Sequence, residues 1–234
     1  MSDRSRAPSV AADVAAFAFV DGAMNVLLVR RRYEPFESYW ALPGGLLEPD
    51  ETLEEAAVRE LAEETGITDS FIEQLATFSN VDRDPRGRVI SCCYLALVDA
   101  RRVRLRAGSD AREAVWSPLE PLLQRIANGE QVLAFDHDQI LGYARTRLAY
   151  KLEYQNVAWS LLPQTFTMSE LRRVYEAGIG RAFEPNNFRR VALGWGVLAE
   201  DGERPTGGRP ATLYRFADER PLILAQSARY RRAT

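Results

Sequence analysis

The chain has 234 residues, 46% of them hydrophobic and 27% charged, with a net charge of −3, the balance of an ordinary globular protein large enough for one large or two small domains. No apolar run approaches the roughly 20 residues that span a bilayer, and a single histidine with no Cys-x-x-Cys excludes the usual zinc patterns. The only cysteines, Cys92 and Cys93, are neighbours whose side chains point to opposite faces of a strand, so no bridge between them is expected and a reducing, cytoplasmic setting is.

Residues 1–11 carry no apolar signal-peptide core and read as a disordered lead-in. Val14–Val20 and Asn25–Arg30 are apolar or alternating and read as two strands around an Asp21-Gly22 hairpin turn. Trp40-Ala-Leu-Pro-Gly-Gly45 follows as a rigid turn whose glycines let backbone approach an ion or phosphate. Next comes a helix with clear ends. Thr52 and Glu55 form a capping box, Leu53, Ala56, Ala57 and Leu61 an apolar stripe, and Gly66 a left-handed C-cap. Glu60, Glu63 and Glu64 stand at i, i+3 and i+4, on one face. Such crowding marks either a solvated acidic face or a seat for a hard divalent cation, whose preferred ligands are carboxylate oxygens. Arg59 sits beside them and can fix the rotamer of one.

Phe71–Asn80 and Ile90–Val98 read as further strands. The loop between them carries Arg83, Arg86 and Arg88, which either grip a ligand phosphate or ribose or belong to a plain hairpin loop. Glu113 is a candidate general base, or a surface carboxylate ahead of a strand; Trp116 reads as core packing or a strand end. A short helix runs from Pro118 to near Gly129. Asp136–Gln139 reads as a capping box opening a helix to Tyr154, with His137 a helix-start residue and Arg145 and Arg147 solvated. This helix is expected to bridge two domains.

The pattern changes after residue 155. Residues 1–154 hold 18 Lys+Arg against 25 Asp+Glu, residues 155–234 hold 12 against 8, so the second part is basic. Thr167 and Glu170 form a third capping box, before a stripe of Met168, Leu171, Val174, Tyr175 and Ile179 that ends at Gly178 and Gly180. Pro185 starts another helix, to about residue 194, with Phe188, Val191 and Leu193 inward and Asn186, Asn187, Arg189 and Arg190 outward. Strands Gly196–Ala199 and Ala211–Phe216 flank a Gly/Pro loop with Arg204 and Arg209, the shape of a basic wing, and Arg229–Arg232 adds positive charge. Helix, tight turn, helix, wing describes a winged helix, whose outward Asn and Arg suit base edges and phosphates. Winged helices also serve as packing modules, and both readings stand at this point.

The series Gly45, Glu51, Arg59-Glu60-Leu61, Glu63-Glu64, Gly66-Ile67 matches the Nudix box at every specified position. Over residues 12–150 the chain resembles Nudix hydrolases, which implies a Nudix α/β/α sandwich and Mg2+- or Mn2+-dependent cleavage of nucleoside diphosphates. Carried over by position, Glu60, Glu63 and Glu64 are implied metal ligands, with the Gly44 or Gly45 carbonyl a further one, Glu51 a partner at the helix start and Arg59 the orienting cation. The general base lies either in the box or in a distant loop. With Phe166–Glu176 and Asn187–Arg190 added, nearly the whole chain resembles the Nudix-related regulators of NAD metabolism, the NrtR family. That resemblance implies a Nudix domain over residues 12–154, a winged helix-turn-helix domain over 155–234, a homodimer, operator DNA and an ADP-ribose-like ligand. The box is complete, unlike that of many members, so hydrolysis stays open beside sensing. The alternative is an ADP-sugar pyrophosphohydrolase whose winged helix only mediates dimerisation or packing.

Overall fold

The computed structural model describes residues 7–106, 111–205, 207 and 210–224. Strands β1 (Ser9–Val20) and β2 (Ala23–Arg31) open the chain. They are joined by Asp21 and Gly22, with φ of 50° and 82°. This left-handed pair matches the twist of the strands it connects, and Asp and Gly are the residues that adopt it cheaply. Residues 9–11 are not a lead-in: Ser9, Val10 and Ala11 pair with Val89, Ile90 and Ser91, so a parallel neighbour satisfies their backbone groups. Residues 1–6 lie outside the described residues.

Two short strands follow, β3 (Trp40–Ala41) and β4 (Gly44–Leu46), then helix α1 (Leu53–Thr65). The Thr52–Glu55 capping box is formed, and Gly66 closes α1 at φ 80°. Strands β5 (Phe71–Phe78), β6 (Val89–Val98) and β7 (Ala111–Pro118) complete the sheet, and helices α2 (Leu119–Ala127) and α3 (His137–Tyr154) follow it. The strand order is β3-β2-β1-β6-β5, with β4 also on β1 and β7 on β2. β1 and β6 are parallel and the other pairs antiparallel.

Both sheet faces are covered, which explains the near-continuous apolar runs of β1 and β6. Ala12, Val14, Ala16, Cys92, Tyr94 and Ala96 pack on Ala56, Ala57 and Leu61 of α1. Ala15, Phe17, Cys93, Leu95 and Leu97 pack on Ile140, Leu141, Ala144 and Leu148 of α3. Cys92 and Cys93 thus lie on opposite faces, and both are free. Trp116 packs against the α1 side.

The second unit holds β8 (Phe166–Thr167), α4 (Met168–Ile179), α5 (Pro185–Leu193), β9 (Leu198–Arg204) and β10 (Ala211–Phe216). Its sheet runs β8-β10-β9. The Thr167–Glu170 capping box is formed, and α4 ends at Gly180, φ 82°. Gly178 lies inside α4 rather than at its end. A Cβ there would come 2.2 Å from Leu152 Cδ1, so the glycine is a contact point with α3. Tyr175 stacks on Trp195 at 5.0 Å, and Phe188 meets both edge-on. Leu193 is 44% exposed, and Ala192 takes the inward place expected of it.

Arg145 is not solvated. Its Nη1 donates to Gly178 O at 2.7 Å, fastening α3 to α4. Arg147 is also engaged: its Nε is buried, 3.8 Å from Glu73 Oε1. No helix among the described residues is long and apolar enough to cross a membrane.

Candidate functional site

β1 pairs with β4 over Ala11–Asp13 but with β2 only over Phe17–Val20. Its two partners part between those stretches, and a cavity of about 600 Å3 lies over the gap. Glu60, Glu63 and Glu64 line one wall with Gly44, Gly45 and Arg59. Asp13, Arg31, Arg83, Arg86, Phe135 and His137 line the rest.

The box residues are held as a unit. Arg59 forks onto Glu51, Nε to Oε2 at 2.9 Å and Nη2 to Oε1 at 2.7 Å. Its Nη1 donates to Glu60 Oε1 at 2.8 Å and to Glu63 Oε2 at 3.4 Å. The Arg59 fork and the Glu48 N–H bring Glu51 down to about 2. Burial pushes Glu60 above the ordinary carboxylate range, against the pull of Arg59. Gly45 makes room for it: a Cβ there would stand 2.0 Å from Glu60 Oε1. Glu64 Oε2 accepts from the Gly44 N–H at 3.0 Å.

The donor chemistry suits a hard cation, because carboxylates and a glycine backbone meet at one cavity wall. The carboxylates stand apart, however: among the described residues no three His, Cys, Asp or Glu side chains converge as a metal set. Arg59 holds Glu60 and Glu63, the backbone holds Glu64, and Glu63 remains 62% exposed and able to swing.

The loop arginines divide. Arg83 is buried, its Nε and Nη2 donating to Asp136 at 3.0 and 2.7 Å, with Asp13 Oδ2 3.4 Å away. Burial opposes its charge, and the Asp136 fork more than restores it. Arg86 lines the cavity and is paired with Asp84 at 2.7 Å. Arg88 lies outside it and donates to Ser79 O and Asn80 O, closing its own hairpin loop. Glu113 is on β7 opposite Arg30, exposed and not among the cavity residues.

Asp136 begins α3 without a side-chain cap bond, because Arg83 takes its carboxylate. His137 is more than a helix-start residue. It is buried at the cavity floor, its Nδ1 accepts from Leu42 N–H at 3.0 Å, and its Nε2 faces Asp13 Oδ1 at 3.8 Å. Asp13, Arg31, Phe135 and His137 went unrecognised as cavity residues. Only Asp13 carries a local signal, a carboxylate inside an otherwise apolar strand.

On the winged helix, Asn186, Asn187, Arg189 and Arg190 are exposed on one face of α5. Glu184 caps the helix by accepting from Asn186 and Asn187 N–H. Arg190 Nη2 donates to Asn187 Oδ1 at 2.7 Å, and Arg189 lies 5.6 Å over the Tyr214 ring. Arg204 pairs with Glu170 at 2.8 Å, which ties the wing strand to the start of α4 and occupies one face of its guanidinium. Arg209 and the Arg229–Arg232 tail lie outside the described residues.

Cavity, box helix and winged helix together define a two-unit protein: an α/β domain with an acidic and basic cavity, followed by a winged helix. Residues 11–135 match the family model for the NUDIX domain, and residues 158–216 match that for the NrtR DNA-binding winged helix domain. The chain is 38% identical over 213 residues to the "ADPR responsive transcriptional repressor NtrR" of Acinetobacter baylyi, covering 90% of this chain and 82% of that one. Shewanella oneidensis NrtR, solved in complex with a 27mer DNA, superposes with a TM-score of 0.77 at 36% identity, over 88% of this chain and 93% of that one. The NUDIX domain of the same Shewanella protein, solved with ADP ribose, superposes at 0.55 and 36% identity, over 63% of this chain and 93% of that one. The chain belongs to the NrtR family of Nudix-related transcriptional regulators.

Proposed function

We propose that this chain is a transcriptional repressor that binds operator DNA through its winged helix and an ADP-ribose-like ligand in its Nudix cavity, acting as a homodimer. The observation that carries the reading is the joining of both sites by one helix: α3 starts at the cavity with Asp136–His137 and is fastened to α4 by Arg145. The A. baylyi relative is named a repressor responsive to ADPR, and the Shewanella neighbours carry DNA and ADP ribose. Asn186, Asn187, Arg189 and Arg190 face the major groove in this reading, with Arg204 on the wing contacting phosphate.

The complete box favours a second capacity, slow pyrophosphohydrolysis with Mg2+ or Mn2+. Glu60, Glu63 and Glu64 would hold the cation with a Gly44 or Gly45 carbonyl, and Arg59 orients Glu60. Bound there, a divalent cation neutralises diphosphate charge and acidifies water. For this to occur Glu63 swings away from Arg59, and Glu60 is held ready against the Gly45 backbone. Glu64→Gln is expected to abolish any Mg2+-dependent release of AMP from ADP-ribose while leaving the melting temperature unchanged. Undiminished turnover in the variant would remove Glu64 from the ligand set. If the wild type turns over and no operator is bound at physiological salt, the hydrolase reading with a packing winged helix replaces the regulator.

A further inference from the structure

We propose that the crevice where the two units meet is a second ligand site, for a small flat organic cation that carries a carboxamide. A cavity of about 210 Å3 lies there, and it shares no residue with the Nudix cavity. Its walls come from three parts of the chain. The Nudix sheet contributes Phe71, the first residue of β5, with Asp69 before it and Asp99 after β6. The linker contributes Trp159 and Ser160, from the short turn Val157–Leu161. The winged helix contributes Phe216, the last residue of β10, and Glu219 beyond it. A molecule bound there touches both units at once.

Hydrogen bonding, shape and charge each narrow the occupant. The Trp159 indole N–H is buried and has no partner, although buried donors are nearly always paired. Ser160 beside it is buried and spends its hydroxyl proton on Val157 O at 2.7 Å, which leaves its oxygen as an acceptor. A donor and an acceptor on adjacent residues match a carboxamide, whose carbonyl accepts and whose nitrogen donates. Phe71, Trp159 and Phe216 supply ring surface for a flat body. The volume is below the roughly 300–1,000 Å3 of pockets for drug-sized ligands, so the occupant is a single ring and not a nucleotide. Asp99 is already paired with Arg101 at 2.7 Å and stands 3.5 Å from Arg102. Asp69 and Glu219 have no ion-pair partner among the described residues. The unmatched charge at the crevice is therefore negative and favours a cation, to which the Trp159 ring offers an aromatic face. Among the described residues the carboxylates do not converge as a metal set, so the cation is an organic one.

The inference does not depend on what the Nudix cavity holds. Its test is calorimetric titration of the full-length protein with 1-methylnicotinamide, a cationic carboxamide ring, and with nicotinamide and nicotinate, its neutral and anionic counterparts. The titrations are run on the wild type, on Trp159→Phe, and on Asp69→Asn with Glu219→Gln, beside the melting temperature of each unliganded protein. The wild type is expected to bind 1-methylnicotinamide with a Kd on the order of 1 mM, a range open to a single-ring ligand. Nicotinamide binds more weakly, and nicotinate more weakly still. Trp159→Phe keeps a ring and loses the N–H, so it weakens both carboxamides by about 3–10-fold, the range for one hydrogen bond. Its melting temperature does not fall, because no bond within the protein is lost. The double carboxylate variant binds the cationic and neutral carboxamides equally. Asp69 and Glu219 are exposed, so this variant keeps the fold and decides the point even if Trp159→Phe is destabilised. Absence of saturable 1-methylnicotinamide binding by the wild type overturns the proposal. So does binding that both variants leave unchanged, which places the ligand elsewhere on the protein, or equal binding of all three ligands by the wild type.

Discussion

His137 is the chain's single histidine, and it is buried with Nδ1 committed to the Leu42 N–H. Its proton therefore sits on Nε2, toward Asp13. Burial, opposed in part by Asp13, holds it below its usual 6.5. As pH falls through 6.5 the unfolded chain takes up the proton before the folded one does. Stability attributable to this residue is full above 6.5 and declines below it, by at most about 1.4 kcal/mol per pH unit until the folded imidazole titrates. Urea denaturation at pH 7.5 and 5.5 should show a smaller fall for His137→Asn than for the wild type. Equal falls would mean that His137 is not the group responsible. In the sequence His137 reads only as a helix start and Asp136 only as a cap, because their partners are remote: the Arg83 partner of Asp136 lies 53 positions away, and the Leu42 partner of His137 lies 95 away.

At the scale of elements, what was legible is what is local. The capping boxes at Thr52 and Thr167, the left-handed Gly66 and Gly180, and the His137–Tyr154 span of α3 all depend on contacts within one turn of helix. The two-residue strands β3 and β8 and the three-residue β4 were not legible, since they are too short for a period and exist only because a neighbour pairs them. Gly178 was misread for the same reason, its role being set by Leu152 on another helix. Gly178→Ala gains about 0.5–1 kcal/mol in helix propensity, but its methyl meets Leu152 and costs about 1–3 kcal/mol in overpacking. A net loss of about 1–2 kcal/mol is expected by denaturant titration. Leu152→Ala empties a buried position and is destabilising by itself, but in that background the added cost of Gly178→Ala should vanish. A gain in the single variant would show that the two helices separate freely there. On α5, Arg190→Ala should cost about 1–3 kcal/mol on the operator and relax preference at one base pair, read by binding to a set of single-substitution duplexes. A uniform loss across all duplexes would instead make Arg190 a phosphate contact.

At the scale of the whole molecule, α3 reaches from the cavity to the winged helix. Its first residues touch Arg83 and the β1 carboxylate Asp13, and its later turns carry Arg145 and Leu152 against Gly178. Under the proposed function, a cavity ligand that drew Arg83 from Asp136 would act on the Asp136–His137 end of that rod. In the same reading, a change there would be passed to α4, and with it to α5, through the Arg145–Gly178 and Leu152–Gly178 contacts. Such coupling is reciprocal: whatever ADP-ribose does to operator affinity, operator does to ADP-ribose affinity. The box and the winged helix could each be read from the sequence because their residues are contiguous. Their connection could not, because it runs through pairs dozens of positions apart.

The most direct test is fluorescence anisotropy of a labelled duplex from upstream of this protein's own gene or of neighbouring NAD genes, titrated with the full-length protein at physiological salt, with and without ADP-ribose and Mg2+. Specific binding that falls with rising salt and is weakened by ADP-ribose is the expected result. Weak, sequence-independent binding that ADP-ribose leaves unchanged, repeated on genomic fragments, would contradict a ligand-responsive repressor and leave the Nudix cavity as the site of an enzyme.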